Sequence, residues 1–286
     1  MSAVTAAPAT RVGPTFGRVV AAEWTKLTSL RSPWWTAAVT VAVAGVLTFL
    51  SAQASSGDPG FEPLGSLSTG LALAQVGPLV LGVLAGAGEY RTGVFRTTFT
   101  VVPRRWAVLG ARTVVVAVFA LGVGVLAAAA SVVGILPAAA SRGIAVDLTA
   151  GDAPGLVLGM VLLVVGLALF GLAVGELLRR TVPAMVTALF LVLILPIVVM
   201  VATDPLVGGA DPATIGPADP GSTTVGGTVG VLLPGTAGQL MTLPASAGPV
   251  DGAPDLGPVG GGLVLAAWIL VVLVAAAVRL RARDVR

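Results

Sequence analysis

The side chains able to do chemistry in this chain are of few kinds: thirteen carboxylates, fifteen arginines and one lysine, with neither cysteine nor histidine. Thiolate and imidazole metal sites, cysteine nucleophiles, a Ser-His-Asp triad and histidine proton shuttles are therefore excluded. Without cysteine there is no disulfide from which to read the redox state of the compartment. The lone Lys26 is followed by Leu27, so a GxxxxGK[ST] phosphate loop cannot be built, and any use of ATP has to go through another chain. The densest group of reactive types is the link GEYRTGVFRTTFTVVPRRWAVLGAR, residues 88–112, which carries Glu89, Tyr90, Arg91, Arg96, Arg104, Arg105 and Arg112. Phe95, Phe99 and Val102 fall on one side at helical spacing, with charge at the segment's ends, and connections this long are usually functional. The same arginines would also fix membrane topology, and Glu89 could simply pair with one of them at a membrane edge, an exposed pair worth about 0–1 kcal/mol.

The elements that hold these groups have to be membrane spans. Hydrophobic residues make up 56% of the chain, charged residues only 10%, and the mean hydropathy is +1.01. Soluble domains carry near 25% charged residues, so lipid must solvate most of this surface. Six apolar runs, about 34–52, 64–87, 113–136, 154–175, 181–202 and 259–278, are each long enough to cross the bilayer. None alternates like a barrel strand. The fold class is all-α integral membrane, a single transmembrane domain over 1–286 with six transmembrane helices.

Orientation follows from the basic residues. Arg11, Arg18, Lys26 and Arg31 precede the first span; Arg91, Arg96, Arg104, Arg105 and Arg112 link spans two and three. Arg179 and Arg180 link spans four and five, and Arg279, Arg281, Arg283 and Arg286 follow span six. All lie on one side, with Arg142 the exception, whereas Asp58, Glu62, Asp147, Asp152, Asp204, Asp211, Asp219, Asp251 and Asp255 lie on the other. Both termini are expected in the cytoplasm. A pI near 10.5 would ordinarily point to nucleic acid, but basic residues placed at span ends point to topology, and no nucleic-acid partner is expected. The 33 residues before the first span and its length argue against a cleaved signal peptide, although Ala52-Gln53-Ala54 resembles a cleavage site.

Three further segments stand out. Over 15–32, Phe16, Val20, Trp24 and Leu27 share helical spacing with Arg18, Thr25 and Lys26 turned away, which predicts an interfacial helix ended by Pro33. The outer loop 203–258 contains the apolar stretch Thr228–Leu243, interrupted by Pro234, Gly235 and Gly238. A re-entrant segment fits it better than a span. In span four, Gly155-x-x-x-Gly159 and Gly171-x-x-x-Gly175 are spaced for close helix packing. Gln75, beside Pro78 in span two, is the lone amide within a span and a possible pathway residue.

Together these segments resemble the permease subunits of type-2 ABC exporters, in particular the six-span actinobacterial kind. AEWTKLTSLRSPWWT at 22–36 is similar to the family's pre-span helix, through Glu23, Trp24, Lys26, Leu27 and Arg31. GEYRTGVFRTTFTVVPRR at 88–105 is similar to its Glu-x-x-x-Gly-x-x-Arg pattern followed by a proline and a basic pair. LLPGTAGQLM at 232–241 is similar to its outer Leu-Pro-x-x-Ala-Gly-Gln stretch, with Pro234, Gly235, Gly238 and Gln239. Val94 stands where the family commonly has Thr. The resemblance implies that two six-span halves pair, this chain with a second copy or a homologue, and that a separate cytoplasmic ABC ATPase subunit docks beneath each. ATP and Mg would bind that ATPase, with no cofactor or metal on this chain. It implies that 88–105 is the coupling helix, with Glu89, Tyr90, Arg91, Gly93, Arg96, Pro103, Arg104 and Arg105 as the coupling residues.

The expected function is thus a permease of an ATP-driven exporter in a bacterial cell membrane, itself not an enzyme and surrounded by lipid. The alternatives are an ion-coupled secondary transporter or a non-transporting multi-span protein. Ion coupling normally places acids or histidine inside spans, and the six runs hold no ionisable side chain, although backbone carbonyls can bind Na⁺. Apolar spans suit a hydrophobic or amphipathic cargo. The topology is directly testable, because the native chain has no cysteine. Ala210→Cys should react with a membrane-impermeant thiol reagent from outside intact cells; labelling from the cytoplasm alone would rule out the six-span order.

Overall fold

The computed structural model describes residues 15–92, 105–203, 223–244, 248, 250 and 252–282. Among these residues every regular element is helical, as backbone in hydrocarbon requires, since lipid offers no partner for an unbonded N–H or C=O. The order is α1 (Phe16–Ser29), α2 (Arg31–Ser55), a 3₁₀ turn (Pro63–Ser66), α3 (Thr69–Ala74), α4 (Val76–Thr92), α5 (Arg105–Ser141) and α6 (Ala153–Leu178). It continues with α7 (Thr181–Leu189), a π turn (Phe190–Ile194), α8 (Leu195–Thr203), α9 (Val225–Leu232), α10 (Pro234–Leu240) and α11 (Gly257–Ala282). Six stretches are long and apolar enough to cross a membrane: Arg31–Ser55, Pro63–Gly88, Ala107–Ser141, Ala153–Leu178, Thr181–Thr203 and Gly257–Leu280. The chain is a multi-pass membrane protein. We call the end where α4 finishes and α5 begins the basic end, and the other the acidic end.

Several boundaries differ from those read in the sequence. The hinge between α1 and α2 falls at Leu30, which is extended (φ −83°, ψ 144°), not at Pro33. Pro33 sits in the first turn of α2, where its missing N–H would have had no helical partner. Arg31 therefore opens the first span rather than ending the preceding helix. Trp34 holds the hinge: its Nε1 donates to the Thr28 carbonyl at 3.0 Å while its ring meets Phe119 of α5 edge-on, centroids 5.5 Å apart. Helix α5 starts at Arg105, so Arg105 to Arg112 form its first two turns and not a loop, and it runs for 37 residues. The fifth span widens at Phe190–Ile194, where Leu195 N–H bonds Phe190 five residues back. Pro196 explains the widening, because it has no N–H to return to Val192 in the ordinary pattern.

Pro234 likewise begins a helix instead of interrupting one. Leu233 is extended (φ −73°, ψ 146°), α10 starts at Pro234, and the Trp268 Nε1 of α11 donates to the Leu232 carbonyl at 2.8 Å. Pro234, Gly235 and Gly238 are buried; Gln239 is exposed.

The centre of the bundle is the crossing of α4 and α6. The spans they belong to are 61% and 67% buried, against 22%, 17% and 22% for spans one, five and six, whose other faces are left for lipid. Two glycines from each helix make the crossing, Gly82 and Gly86 against Gly171 and Gly175. A Cβ on Gly82 would lie 1.9 Å from the Ala168 carbonyl, and one on Gly171 would lie 2.3 Å from that of Leu79. Because burial in lipid gains little from apolar transfer, such backbone-to-backbone approach supplies the dispersion contact that holds the helices together. Gly82→Val should accordingly destabilise the protein by about 2–3 kcal/mol in detergent unfolding, as overpacking does. Gly122→Ala, with nothing near its added Cβ, should be neutral or mildly stabilising. Equal behaviour of the two would remove the crossing from its central place.

Candidate functional site

At the basic end, α1, α4, α5 and α6 meet around charged side chains that the fold withdraws from solvent. Helix α1 is amphipathic and buries Val19, Glu23 and Leu27 at one-turn spacing, with Val19 against Val108 and Ala111 of α5. Phe16 and Trp24 face outward, so the buried stripe is offset by about one position from the apolar face read in the sequence. Glu23 therefore points into the bundle. Its Oε1 accepts from Lys26 Nζ at 2.6 Å, and its Oε2 accepts from Arg112 Nε at 3.3 Å. Arg112, on α5, donates through Nη1 to Glu176 Oε1 of α6. The other oxygen of Glu176 accepts from the Tyr90 hydroxyl of α4 at 2.9 Å. Glu23, Arg112 and Glu176 are 6%, 6% and 2% exposed.

Two buried carboxylates thus share a buried guanidinium, with the half-exposed Lys26 ammonium at the rim. Charges this deep persist only when paired, and removing one partner of such a cluster typically costs about 3–5 kcal/mol. Next to it α6 ends: Arg179 adopts a left-handed conformation (φ 56°), closes the helix through its N–H to Gly175 at 2.9 Å, and lays its guanidinium over the Tyr90 ring, 5.3 Å from the centroid. Arg279 of α11 donates to the Leu177 carbonyl, capping the same helix end from a fifth element. Burial first, and then the adjacent Glu176 carboxylate, push the Tyr90 phenol well above its ordinary value.

This placement sorts the residues expected from the sequence. Glu23, Lys26, Leu27 and Tyr90 converge on the cluster or its packing, Trp24 lies on the outer face of α1, and Arg31 is exposed at the start of α2. Glu89 and Arg91 flank Tyr90 in the last turns of α4, and Arg105 opens α5. Gly93, Arg96, Pro103 and Arg104 lie outside the described residues. Pro234, Gly235 and Gly238 pack in α10, where Gly235 lets the helix approach the Val192 carbonyl in the π turn, away from the cluster. Gln75 sits buried at the junction of α3 and α4, its Nε2 on the Ala72 carbonyl at 2.5 Å and its Oε1 without a hydrogen-bond partner. It joins neither group.

Glu176 was not singled out by sequence, and Arg112 was read only as a basic residue of the 88–112 link. The fourth apolar run ends at Gly175, yet α6 continues to Leu178 and carries Glu176 inside. The available signal was an acid closing a long apolar helix beside two arginines, a costly position that ordinarily marks a pairing or functional role. Among the described residues the cluster holds no nucleophile poised beside a base. What it does is join four helices rigidly, on either side of the 93–104 segment.

Tyr90 is the only tyrosine, so tyrosinate absorbance reports it alone. Its folded pKa lies above the unfolded value of 10.0, so the stability it confers is complete below pH 10 and is lost as pH rises further. On alkaline titration, tyrosinate should appear only together with unfolding. A free phenol titrating near pH 10 in the folded protein would break the Tyr90–Glu176 contact.

No family model matches the chain, and no curated protein matches it with significance.

Proposed function

We propose that this chain is the membrane-spanning permease subunit of an ATP-driven ABC exporter powered by a separate cytoplasmic ATPase. One observation carries the reading. Helix α4 enters the 93–104 segment and α5 leaves it, and Tyr90 on the one and Arg112 on the other both bond Glu176. A displacement of that segment by a docked partner would pass directly to α6 and, through Glu23, to α1, along packed and hydrogen-bonded side chains. A chain with no phosphate loop needs such a route for energy that arrives from outside.

On this reading 88–105 is the coupling helix, and the basic end faces the cytoplasm. Helix α1 lies in the interface with Phe16 and Trp24 toward headgroups, and α9–α10 form the re-entrant segment on the outer side. A second six-span copy or homologue completes the pathway in a bacterial cell membrane, with ATP and Mg held by the ATPase. Glu176 gives a second reading its footing, since a carboxylate in an apolar helix is what an ion-coupled transporter uses. Its engagement with Arg112 and Tyr90 favours a structural tie over a proton carrier.

Co-expression with an ABC ATPase subunit from the same genome tests the proposal. Glu89→Ala combined with Arg96→Ala should leave yield unchanged yet lower permease-stimulated ATP hydrolysis and export by about 5- to 150-fold, the span of typical coupling free energies. Purified alone, the chain should show no ATP-dependent thermal shift. Full transport by the double variant would overturn the coupling assignment. Transport in ATPase-free vesicles that follows an imposed proton gradient would establish the second reading.

A further inference from the structure

Among the described residues, four buried polar side-chain atoms have no hydrogen-bond partner, and three of them lie in the turn between α6 and α7: Arg179 Nε, Arg179 Nη2 and Thr181 Oγ1. A polar group that leaves water without gaining a partner keeps the full cost of that transfer, so three such atoms within three residues mark a missing partner. The turn itself is fixed. Arg179 closes α6 in a left-handed conformation, and the face of its guanidinium rests over the Tyr90 ring, 5.3 Å from the centroid. Stacking occupies the face of the group and leaves its edges to hydrogen bonding. The two open nitrogens form one edge: Nε–H and one Nη2–H run parallel, spaced for two oxygens of a single phosphate or carboxylate. The side chain as a whole is partly exposed, so this edge lies close beneath the surface of the turn. Thr181 opens α7, a nine-residue helix whose first N–H groups receive no side-chain cap, and an uncapped helix start favours an anion.

The surroundings carry positive charge. Arg180 is exposed beside the turn, and Arg279 arrives from α11 at the Leu177 carbonyl. Glu176, one turn before Arg179, has both oxygens engaged by Arg112 and Tyr90, and the 93–104 sequence contains no carboxylate. The flanking spans show what the anion is attached to. Val182 of α7 and Val278 of α11, next in sequence to Thr181 and Arg279, are 72% and 59% exposed, on the two spans that leave most of their surface for lipid. An oxyanion seated here has hydrocarbon-facing surface directly beside it, which suits a head group carrying acyl chains.

We propose that the α6–α7 turn binds the phosphate of an anionic phospholipid. The Nε/Nη2 edge of Arg179 takes two phosphate oxygens, Thr181 donates a further hydrogen bond, and the acyl chains lie along Val182 and Val278. Arg180 disfavours a zwitterionic head, which brings an ammonium of its own. The site is independent of any ATPase and stands or falls separately from the transport reading.

The full chain in a neutral detergent is titrated with phosphatidylglycerol, phosphatidylcholine and diacylglycerol of the same acyl chains, and native mass spectrometry counts the bound lipids. Inorganic phosphate is added as a competitor. One phosphatidylglycerol should bind saturably, about tenfold more tightly than phosphatidylcholine, and diacylglycerol should not be retained. Arg179→Lys keeps the charge and loses the paired N–H edge, and should weaken phosphatidylglycerol about tenfold. Thr181→Val should weaken it about fivefold, and Arg180→Gln by about threefold at most. Thermal stability without lipid should be unchanged in Thr181→Val, which carries the test if Arg179→Lys does not fold. Equal retention of phosphatidylglycerol and phosphatidylcholine would overturn the proposal. Full affinity in Arg179→Lys, or in Thr181→Val should the former unfold, would do the same. Displacement by inorganic phosphate at equal concentration would make this a free-anion site and remove the lipid. Tighter lipid binding by Asp284→Asn would put that side chain on the Arg179 edge instead, and the proposal would fall.

Discussion

Arg112 holds together parts of the chain that no local force would join. Its guanidinium lies between Glu23, before the first span, and Glu176, at the end of the fourth, and Tyr90 binds the latter from the second. In a medium without water each of these groups makes the burial of the others tolerable. Loss of Arg112 would leave two buried carboxylates without its charge.

That constraint depends on, and completes, the glycine crossing of α4 and α6. Gly86 and Gly175 bring the two backbones close just before Tyr90 and Glu176, which sets the phenol within reach of the carboxylate. Non-directional packing sets the distance and a directional contact sets the register, so α4 can neither slide nor rotate on α6 without breaking one or the other. Spans one, five and six bury smaller shares of their surface than these two.

Hydropathy and charge placement made the six spans legible, because crossing hydrocarbon is a demand on composition and length that any sequence must display. Contacts between spans were much less so. Glu176 follows an apolar run and reads as its boundary, and only the position of Arg112 in three dimensions turns it into an interior residue. Gly171-x-x-x-Gly175 was visible, but its partner pair Gly82-x-x-x-Gly86 gains meaning only from reciprocity, which a single helix does not reveal. Proline misled twice in the same way: Pro33 and Pro234 were read as breaks, and both sit in the first turn of the helix that follows, where the missing N–H costs nothing. The true break at Leu30 has no glycine or proline to announce it; it is imposed by Trp34 reaching back to Thr28.

Helix α5 adds a mechanical consequence. Its 37 residues make a helix of about 55 Å, against about 30 Å of hydrocarbon, so it has to tilt, bend or project beyond the membrane core. With the Arg112 cluster near one end and Ser131 buried against Thr48 further along, the rod is clamped at two heights. A rod held at two heights resists tilting, so sideways load on its basic end falls on the cluster and on the Thr48–Ser131 contact together.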